Sequence, residues 1–246
     1  MKIDAILSPA ELSALVRRDL RATACVVFDI LRATSTFVTA LQNGAKEIIP
    51  VSEISEAVAI RQQQPDVLLA GERDGVKIHA AQSGGIDFDF GNSPREFTPE
   101  KVRGKTIVST TTNGTRALRA CTGAKMILAS SFLNLSATAK FLTKSQPEEI
   151  LFVCAGTGEG VALEDVLAAG ALTDLLADEL SDSAEIARQT FLRLKADLSA
   201  VIASSKNGRR LLSISALRAD VAFCSQRDVF NLVALMDGDG KLRRTA

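Results

Sequence analysis

The sequence predicts an α/β fold in which helices cover both faces of a sheet. Short apolar runs rich in β-branched residues recur along the chain, and longer stretches with helical periodicity separate them. Apolar residues make up 46% of the 246 residues, and the 29 basic residues balance the 29 acidic ones. This composition is typical of a globular protein and excludes a disordered chain, which needs low hydrophobicity and high net charge.

The elements follow in order along the chain. Strands are predicted at 24–30, 47–51, 67–71, 106–110, 125–130 and 150–155, and helices at 35–43, 53–63, 113–121, 134–143 and 161–179. The segment 183–212 is predicted as helix with an apolar stripe, and a final strand is expected at 220–224. We expect residues 1–246 to form one catalytic domain, with two lobes of about 1–130 and 131–246 as an alternative organisation.

Two segments read as a weak internal repeat. ALQNGAKEIIPVS begins at Ala40 and LRACTGAKMILASS begins at Leu118, and both show a helix end, Gly-Ala-Lys and an apolar strand. Gly44 and Gly123 are predicted to end the helices, because glycine adopts the left-handed conformation without steric cost. Each copy follows a strand with a polar carboxyl end, which is where open α/β sheets bind ligands.

The composition also argues against nucleic acids and membranes as binding partners. With zero net charge and neither Trp nor Tyr, the chain lacks the general charge and the aromatic platforms of nucleic-acid and membrane binders. Acidic residues interrupt the first twenty positions, so we expect no signal peptide. The cysteines at 25, 121, 154 and 224 form no CxxC pair, which favours buried thiols in a reduced, cytoplasmic protein.

The first candidate site begins with Asp29, at the end of a predicted strand. Arg32, Thr34, Ser35 and Thr36 follow it before the next predicted helix. Asp at a strand end is suited to holding Mg²⁺ or to acting as a nucleophile or base, and Arg binds phosphate in bidentate fashion. A structural Asp–Arg pair beside a capped helix is the alternative.

A run of hydroxyl side chains forms the second candidate site. Ser109, Thr110, Thr111 and Thr112 end a predicted strand, and Asn113, Gly114, Thr115 and Arg116 follow. The hydroxyls and the backbone amides beside Gly114 would donate hydrogen bonds to an anion, and Arg116 adds a charge. The alternative is a Ser/Thr-rich turn that caps a helix.

Glycines and acids follow the strand at 150–155. Gly156, Gly158 and Gly160 suggest a dinucleotide or adenosylmethionine loop, but no second strand ending in an acid follows. Glu164 and Asp165 either complement the start of a helix or complete a carboxylate set with Asp29 for Mg²⁺. The recurring chemistry predicts a site for a small, non-aromatic anion with a divalent metal.

Several stretches of the chain are distinctive when taken together in order: FDILRATST, GER with FGNSP, TTNGTRAL, SFLNLSA and CAGTG with LEDVLAAGAL, followed by weaker signals in SSKNGRRLL and DVAFC. In these stretches the chain resembles the Mg²⁺-dependent 2-phosphosulfolactate phosphatases of coenzyme M biosynthesis. The resemblance implies a three-layer α/β/α sandwich around a largely parallel or mixed sheet and a metal-assisted phosphatase. Residues 76–90, which contain His79, are longer than is usual in that family, and Val233-Ala234 stands where Val-Pro is expected.

As a hypothesis, the candidate residues can be given roles in a metal-assisted phosphatase. Catalysis is expected from Asp29, Arg32, Glu164 and Asp165, the three acids holding Mg²⁺, with Asp29 as nucleophile or as the group that positions water. Substrate binding is expected from Thr34, Ser35, Glu72, Arg73, Asn92, Ser93, Thr110, Thr111, Thr112, Asn113, Gly114, Thr115, Arg116, Gly156 and Thr157. A non-catalytic anion binder and a nucleotide-using transferase are the alternatives. A homodimer that uses the 183–212 stripe is one expectation for assembly.

Overall fold

The computed structural model describes residues 1–15, 17–176 and 179–245. The strands are β1 (Lys2–Ile6), β2 (Thr23–Phe28), β3 (Glu47–Pro50), β4 (Leu68–Arg73), β5 (Val76–Lys77), β6 (Thr106–Thr110), β7 (Met126–Ser130), β8 (Glu149–Cys154), β9 (Glu179–Leu180), β10 (Val233–Met236) and β11 (Leu242–Thr245). The helices are α1 (Leu12–Leu15), α2 (Ala33–Gln42), α3 (Ile54–Gln63), α4 (Ala80–Ser83), α5 (Pro99–Val102), α6 (Gly114–Ala120), α7 (Leu135–Ser145), α8 (Leu163–Leu176), α9 (Asp182–Leu194), α10 (Leu198–Ser204), α11 (Lys206–Ser213) and α12 (Arg218–Cys224).

The strands form one mixed sheet in the order β5-β4-β6-β3-β11-β10-β7-β2-β8-β1-β9. Two blocks of parallel strands, β4-β6-β3 and β7-β2-β8-β1-β9, lie on either side of the antiparallel hairpin β10–β11. Strands from both halves of the chain are interleaved in this sheet. That arrangement supports our proposal that residues 1–246 act as one domain.

The two copies of the repeat exchange strands in the sheet. The first copy runs β2-α2-β3 and the second runs β6-α6-β7, but β2 pairs with β7 and β6 pairs with β3. Gly44 and Gly123 follow α2 and α6 with φ of 92° and 94°, so the predicted left-handed residues are confirmed. The exchange brings the first turns of α2 and α6 together, and Gly114 of α6 packs against Ala33 of α2 there.

Alternate residues of the central strand face opposite layers. Cys25 and Val27 of β2 pack into a cluster with α2 and α6, whereas Val26 and Phe28 pack with α7, α8 and α9. This alternation is the period of two of a strand that is buried on both faces. The predicted three-layer α/β/α arrangement is confirmed.

Several boundaries differ from the sequence predictions. The segment 220–224 is helical, not a strand, because Asp220, Val221 and Cys224 are buried at the three- and four-residue spacing of α12. The stretch 183–212 is divided into α9, α10 and α11 by a 3₁₀ turn at Lys195–Asp197 and by the cap residue Ser205. Of the helix predicted at 161–179, the structure describes Leu163–Leu176 as helix and Glu179 as the start of β9, and residues 177–178 lie outside the described part of the chain.

The longer stretch 76–90 is packed against the sheet. Ile78 and Phe88 are buried in a small cluster with Val108 of β6, while His79 is exposed and caps α4. The four cysteines are free and buried, as predicted. In the described ranges, none of the helices has the length and apolar character needed to cross a membrane.

Candidate active site

A cavity of about 210 Å³ opens where β2, β4, β6 and β8 reach their carboxyl ends. Seven predicted site residues line it, namely Asp29, Arg32, Glu72, Asn92, Thr112, Asn113 and Thr157. The other seven lining residues were not predicted as site residues, although most lie in segments that the sequence singled out; they are Leu31, Asp74, Gly75, Gly158, Asn207, Arg210 and Leu211. The prediction of a ligand site at the strand ends therefore coincides with a cavity in the structure.

Asp29 follows β2 directly and is 8% exposed. Its Oδ1 accepts the N–H of Ala33 at 3.1 Å, and the Thr34 hydroxyl donates to its carbonyl at 3.0 Å. Burial, together with the charges of Glu72 and Glu164, raises the pKa of Asp29 to about 7, although the N–H of Ala33 and the charge of Arg32 oppose this rise. Asp29 is therefore a carboxyl group that a cation in the cavity would stabilise in its charged form.

Glu72 connects two of the loops around the cavity. It lies in β4, and its Oε2 accepts the N–H of Gly75 at 2.6 Å while its Oε1 accepts the N–H of Thr112 at 2.8 Å. The neighbouring Arg73 points elsewhere, donating to Thr110 Oγ1 at 3.0 Å and to the Ser52 carbonyl at 3.3 Å. Of the Gly-Glu-Arg segment, only the glutamate lines the cavity.

Most of the predicted hydroxyl donors are used to hold the backbone. Thr111 and Thr115 bond each other's N–H groups at 3.1 Å at the start of α6, and Thr110 Oγ1 donates to the Ser52 carbonyl at 2.9 Å. Ser35 likewise donates to the Ile30 carbonyl at 2.9 Å. These side chains are therefore engaged with the protein's own backbone, and Thr112 and Asn113 are left to line the cavity.

Arg32 belongs to a buried network that the sequence analysis missed. Its Nη1 donates to Asp220 Oδ2 at 2.8 Å, and its Nη2 donates to the Gly75 carbonyl at 2.8 Å. Ser93 donates to Asp220 Oδ1 at 2.7 Å, so a predicted substrate-binding hydroxyl is also engaged there. The DVAFC stretch was the only signal for Asp220, and it was interpreted as a strand.

Glu164 and Asp165 begin α8 but face different partners. Asp165 accepts the N–H groups of Ile30 at 2.8 Å and of Gly156 at 2.9 Å, so it connects the ends of β2 and β8. Burial, Asp29 and Glu164 raise the pKa of Asp165 well above its usual range, although the two N–H groups oppose this. Glu164 is buried, its Oε1 accepts from Asn207 at 2.6 Å, and its Oε2 has no hydrogen-bond partner.

Arg116 lies outside the cavity lining. Its side chain is half exposed and pairs with Glu159 at 3.0 Å. The only predicted cation that lines the cavity is therefore Arg32, and its charge is already paired. Among residues 1–15, 17–176 and 179–245, no group of three or more His, Cys, Asp or Glu side chains forms a ready-made metal site.

Fold and site together define an α/β enzyme whose cavity combines carboxylates with backbone amides at strand ends. Residues 11–239 match the family model described as 2-phosphosulpholactate phosphatase. The chain belongs to this family of phosphoric monoester hydrolases, which confirms the resemblance identified from its motifs.

Three relatives illustrate the similarity, and each carries the name probable 2-phosphosulfolactate phosphatase. The protein from Thermotoga petrophila is 44% identical over 209 residues, covering 85% of this chain and 86% of the relative. The protein from Caldanaerobacter subterraneus subsp. tengcongensis is 40% identical over 227 residues, covering 88% of each chain. The protein from Clostridium acetobutylicum is 34% identical over 239 residues, covering 95% of this chain and 96% of the relative.

Proposed function

We propose that this chain hydrolyses the phosphate ester of 2-phosphosulfolactate, producing sulfolactate and phosphate. The observation that carries the proposal is the buried carboxyl of Asp29 at the floor of a cavity in a chain of this family. Its water-poor position suits a group that acts on a reacting phosphoryl. Both roles stay open for Asp29, namely nucleophile forming an acyl phosphate and positioner of an attacking water.

We further propose that the site takes Mg²⁺, and two features fit this metal. Glu164 Oε2 is a buried acceptor without a partner, and the charges of Glu72 and Glu164 act on Asp29. Mg²⁺ prefers hard oxygen ligands and usually takes one or two carboxylates together with waters and substrate phosphate. Asp29 and Glu164 would hold the ion, whereas Asp165 already accepts two N–H groups. When bound, Mg²⁺ would neutralise charge on the phosphoryl oxygens.

The chain's own groups would then position the substrate. Thr112, Asn113 and Thr157 line the cavity with hydroxyl and amide groups that can donate to phosphoryl oxygens. Glu72 fixes the two loops beside them through Gly75 and Thr112. We propose that these residues hold the phosphoryl group in line with Asp29.

The test is phosphate release from a panel of phosphorylated hydroxy acids that includes 2-phosphosulfolactate, with and without Mg²⁺. We expect turnover of 2-phosphosulfolactate that depends on the metal. Release that is independent of metal, or absent from the whole panel, would overturn the proposal. Tight binding of the ester without release would instead identify a non-catalytic anion-binding protein.

A glycine next to Asp29 gives a further prediction. A Cβ at Gly114 would lie 2.5 Å from Ala33 Cβ and 2.7 Å from Asp29 Oδ2, so the Asp29 side chain would have to move. Since a shift of about 1 Å at a reacting group can cost about 100-fold in rate, Gly114→Ala should lower kcat/KM by roughly that factor. Gly160→Ala is the control, because its Cβ would meet only the Thr157 carbonyl at 3.6 Å. Equal activities of the two variants in the phosphate assay would contradict the prediction.

The raised pKa of Asp29 predicts a dependence of stability on pH. Its folded pKa is about 7 against an ordinary 3.8, so the folded state binds this proton more tightly than the unfolded state. Without metal, its contribution to stability is present at low pH and is lost from about pH 4 to 7, at no more than about 1.4 kcal/mol per pH unit. Asp29→Asn should remove this part of the dependence of stability on pH, as measured by melting curves recorded at several pH values across that range. Identical slopes for both proteins would refute the prediction.

Mg²⁺ should raise the melting temperature of the wild type more at pH 8 than at pH 5.5, because ligand binding to the folded state stabilises it and needs ionised carboxylates.

The cellular location and the oligomeric state of the chain stay predictions. The free, buried thiols support our placement of the chain in the cytoplasm. A homodimer is to be tested by light scattering coupled to size-exclusion chromatography.

A further inference from the structure

One helix on the wall of the cavity has no role in the function described so far. Asn207, Arg210 and Leu211 of α11 line the cavity, and they belong to the SSKNGRRLL stretch. The turn of Asp74 and Gly75 between β4 and β5 also lines the cavity, and it is in contact with Arg210.

The charges around the cavity make Arg210 distinct. The cations that line it within the described residues are Arg32 and Arg210. Arg32 is paired with Asp220 at 2.8 Å, and both side chains are buried. Arg210 forms no ion pair with any described side chain, and its Nη2 donates only to the backbone carbonyl of Asp74. Its positive charge therefore stays available to an anion in the cavity.

Arg210 also lies at a different depth from the carboxylates. Asp29 and Glu72 are each 8% exposed and form the floor, whereas Arg210 is exposed at the rim. If the phosphoryl group is bound at the floor beside Asp29, the groups that do not react must extend toward the rim. A guanidinium there presents parallel N–H donors that match the oxygens of a carboxylate or a sulfonate.

The helix that carries Arg210 is tied to the floor. Asn207, one turn earlier, donates to Thr157 Oγ1 and to Glu164 Oε1 at 2.6 Å each. Gly208 packs so closely that an added Cβ would lie 2.0 Å from the Ile202 carbonyl. The Asn207 bonds fix α11 against the site and Gly208 packs it on α10, and together these contacts set the distance between rim and floor.

We propose that Arg210 determines substrate specificity by binding an acid group of the substrate other than the phosphoryl group, either its carboxylate or its sulfonate. This inference rests on the proposed phosphatase function. On binding, the guanidinium exchanges its bond to the neutral Asp74 carbonyl for a charged acceptor, and charge-assisted bonds of this kind are the stronger ones.

The experiment compares Arg210→Gln with Arg209→Gln in the full chain. Arg209 is the matched control, because it is exposed on the same helix, does not line the cavity and donates to the Ser204 carbonyl. Three Mg²⁺-supplemented substrates separate the groups: 2-phosphosulfolactate, 2-phospholactate, which lacks the sulfonate, and the phosphate ester of 2-hydroxyethanesulfonate, which lacks the carboxylate. The readouts are kcat and KM from phosphate release, and equal melting temperatures exclude a folding defect.

We expect Arg210→Gln to lower kcat/KM for 2-phosphosulfolactate by about 10- to 100-fold, mainly through KM. The loss should vanish for whichever analogue lacks the acid group that Arg210 binds, and that analogue identifies the group. An equal loss on all three substrates would make Arg210 a phosphate ligand and overturn the inference, as would a variant that matches Arg209→Gln. A wild type inactive on 2-phosphosulfolactate would overturn the proposed function, whereas an active wild type with an unaffected Arg210→Gln variant would overturn this inference alone.

Discussion

Asp29→Asn is expected to reduce metal-dependent phosphate release by at least about 1,000-fold, as is typical when a group that acts on the reacting atom is removed. Asp29 lies at the cavity floor, the charges of Glu72 and Glu164 act on it, and its pKa is raised. The amide is neutral, so it can neither form an acyl phosphate nor accept a proton from an attacking water, and it cannot bind Mg²⁺ as an anion. Both roles proposed for Asp29 therefore predict the same loss.

The fold should survive this change. An Asn side chain has nearly the same volume, and its oxygen can still accept the Ala33 N–H that now reaches Oδ1 at 3.1 Å. At pH 8 the variant should melt at a higher temperature than the metal-free wild type, because it removes a buried charge that burial disfavours. A variant that is inactive and more stable at pH 8 would separate catalysis from folding.

Two further substitutions serve as comparisons for Asp29→Asn. Asp19→Asn changes an exposed carboxylate paired with Arg21 and should leave activity unchanged. Asp165→Asn should lower stability, because the amide cannot accept from both Ile30 and Gly156 in the way the carboxylate does. Full metal-dependent turnover by Asp29→Asn would exclude both roles of Asp29.

The sequence predicted the central strands well because their signal is local. Thr106–Thr110 is an apolar run that ends in hydroxyls, and it is a strand over those same residues. The missed strands have weaker patterns: Lys2–Ile6 alternates with charges, and Leu242–Thr245 contains two arginines. Both depend on distant partners in the sheet, since β1 pairs with β8 and β11 pairs with β3. Contacts of this kind leave no trace in a short window of sequence.

In the candidate site, too, residues with a local sequence signal were predicted, and residues that depend on distant contacts were missed. Asp29, Thr112 and Asn113 stand at strand ends, and the topology of α/β sheets was enough to bring them to one cavity. Arg32 was predicted to bind phosphate, but its partner Asp220 lies 188 positions away in the chain. Asp220 could not be paired with Arg32 while residues 220–224 were interpreted as a strand. Asn207, Arg210 and Asp220 are brought to the site by the C-terminal helices α11 and α12, whereas Asp74 and Gly75 lie in the turn between β4 and β5.

Asp220→Asn is expected to lower the free energy of unfolding by about 3–5 kcal/mol, since breaking a buried ion pair leaves the other charge without compensation. Asp220 is fully buried and accepts from Arg32 and Ser93, and the Arg32 side chain is 2% exposed. In a protein of this size the loss corresponds to a fall in melting temperature of roughly 10 °C. Asp174→Asn is the control, because the ion pair of Asp174 with Arg188 at 3.3 Å is partly exposed and should contribute less than about 1 kcal/mol.

A double substitution separates the stability of this pair from its effect on the site. Replacing both partners, as Arg32→Met with Asp220→Leu, removes both buried charges and should recover much of the lost stability. Activity should remain low, because the Arg32 guanidinium also donates to the Gly75 carbonyl, and Gly75 in turn donates to Glu72. Recovery of both stability and phosphate release would mean that the pair only supports the fold. Recovery of stability alone would show that Arg32 and Asp220 position the turn of Asp74 and Gly75 in the cavity lining.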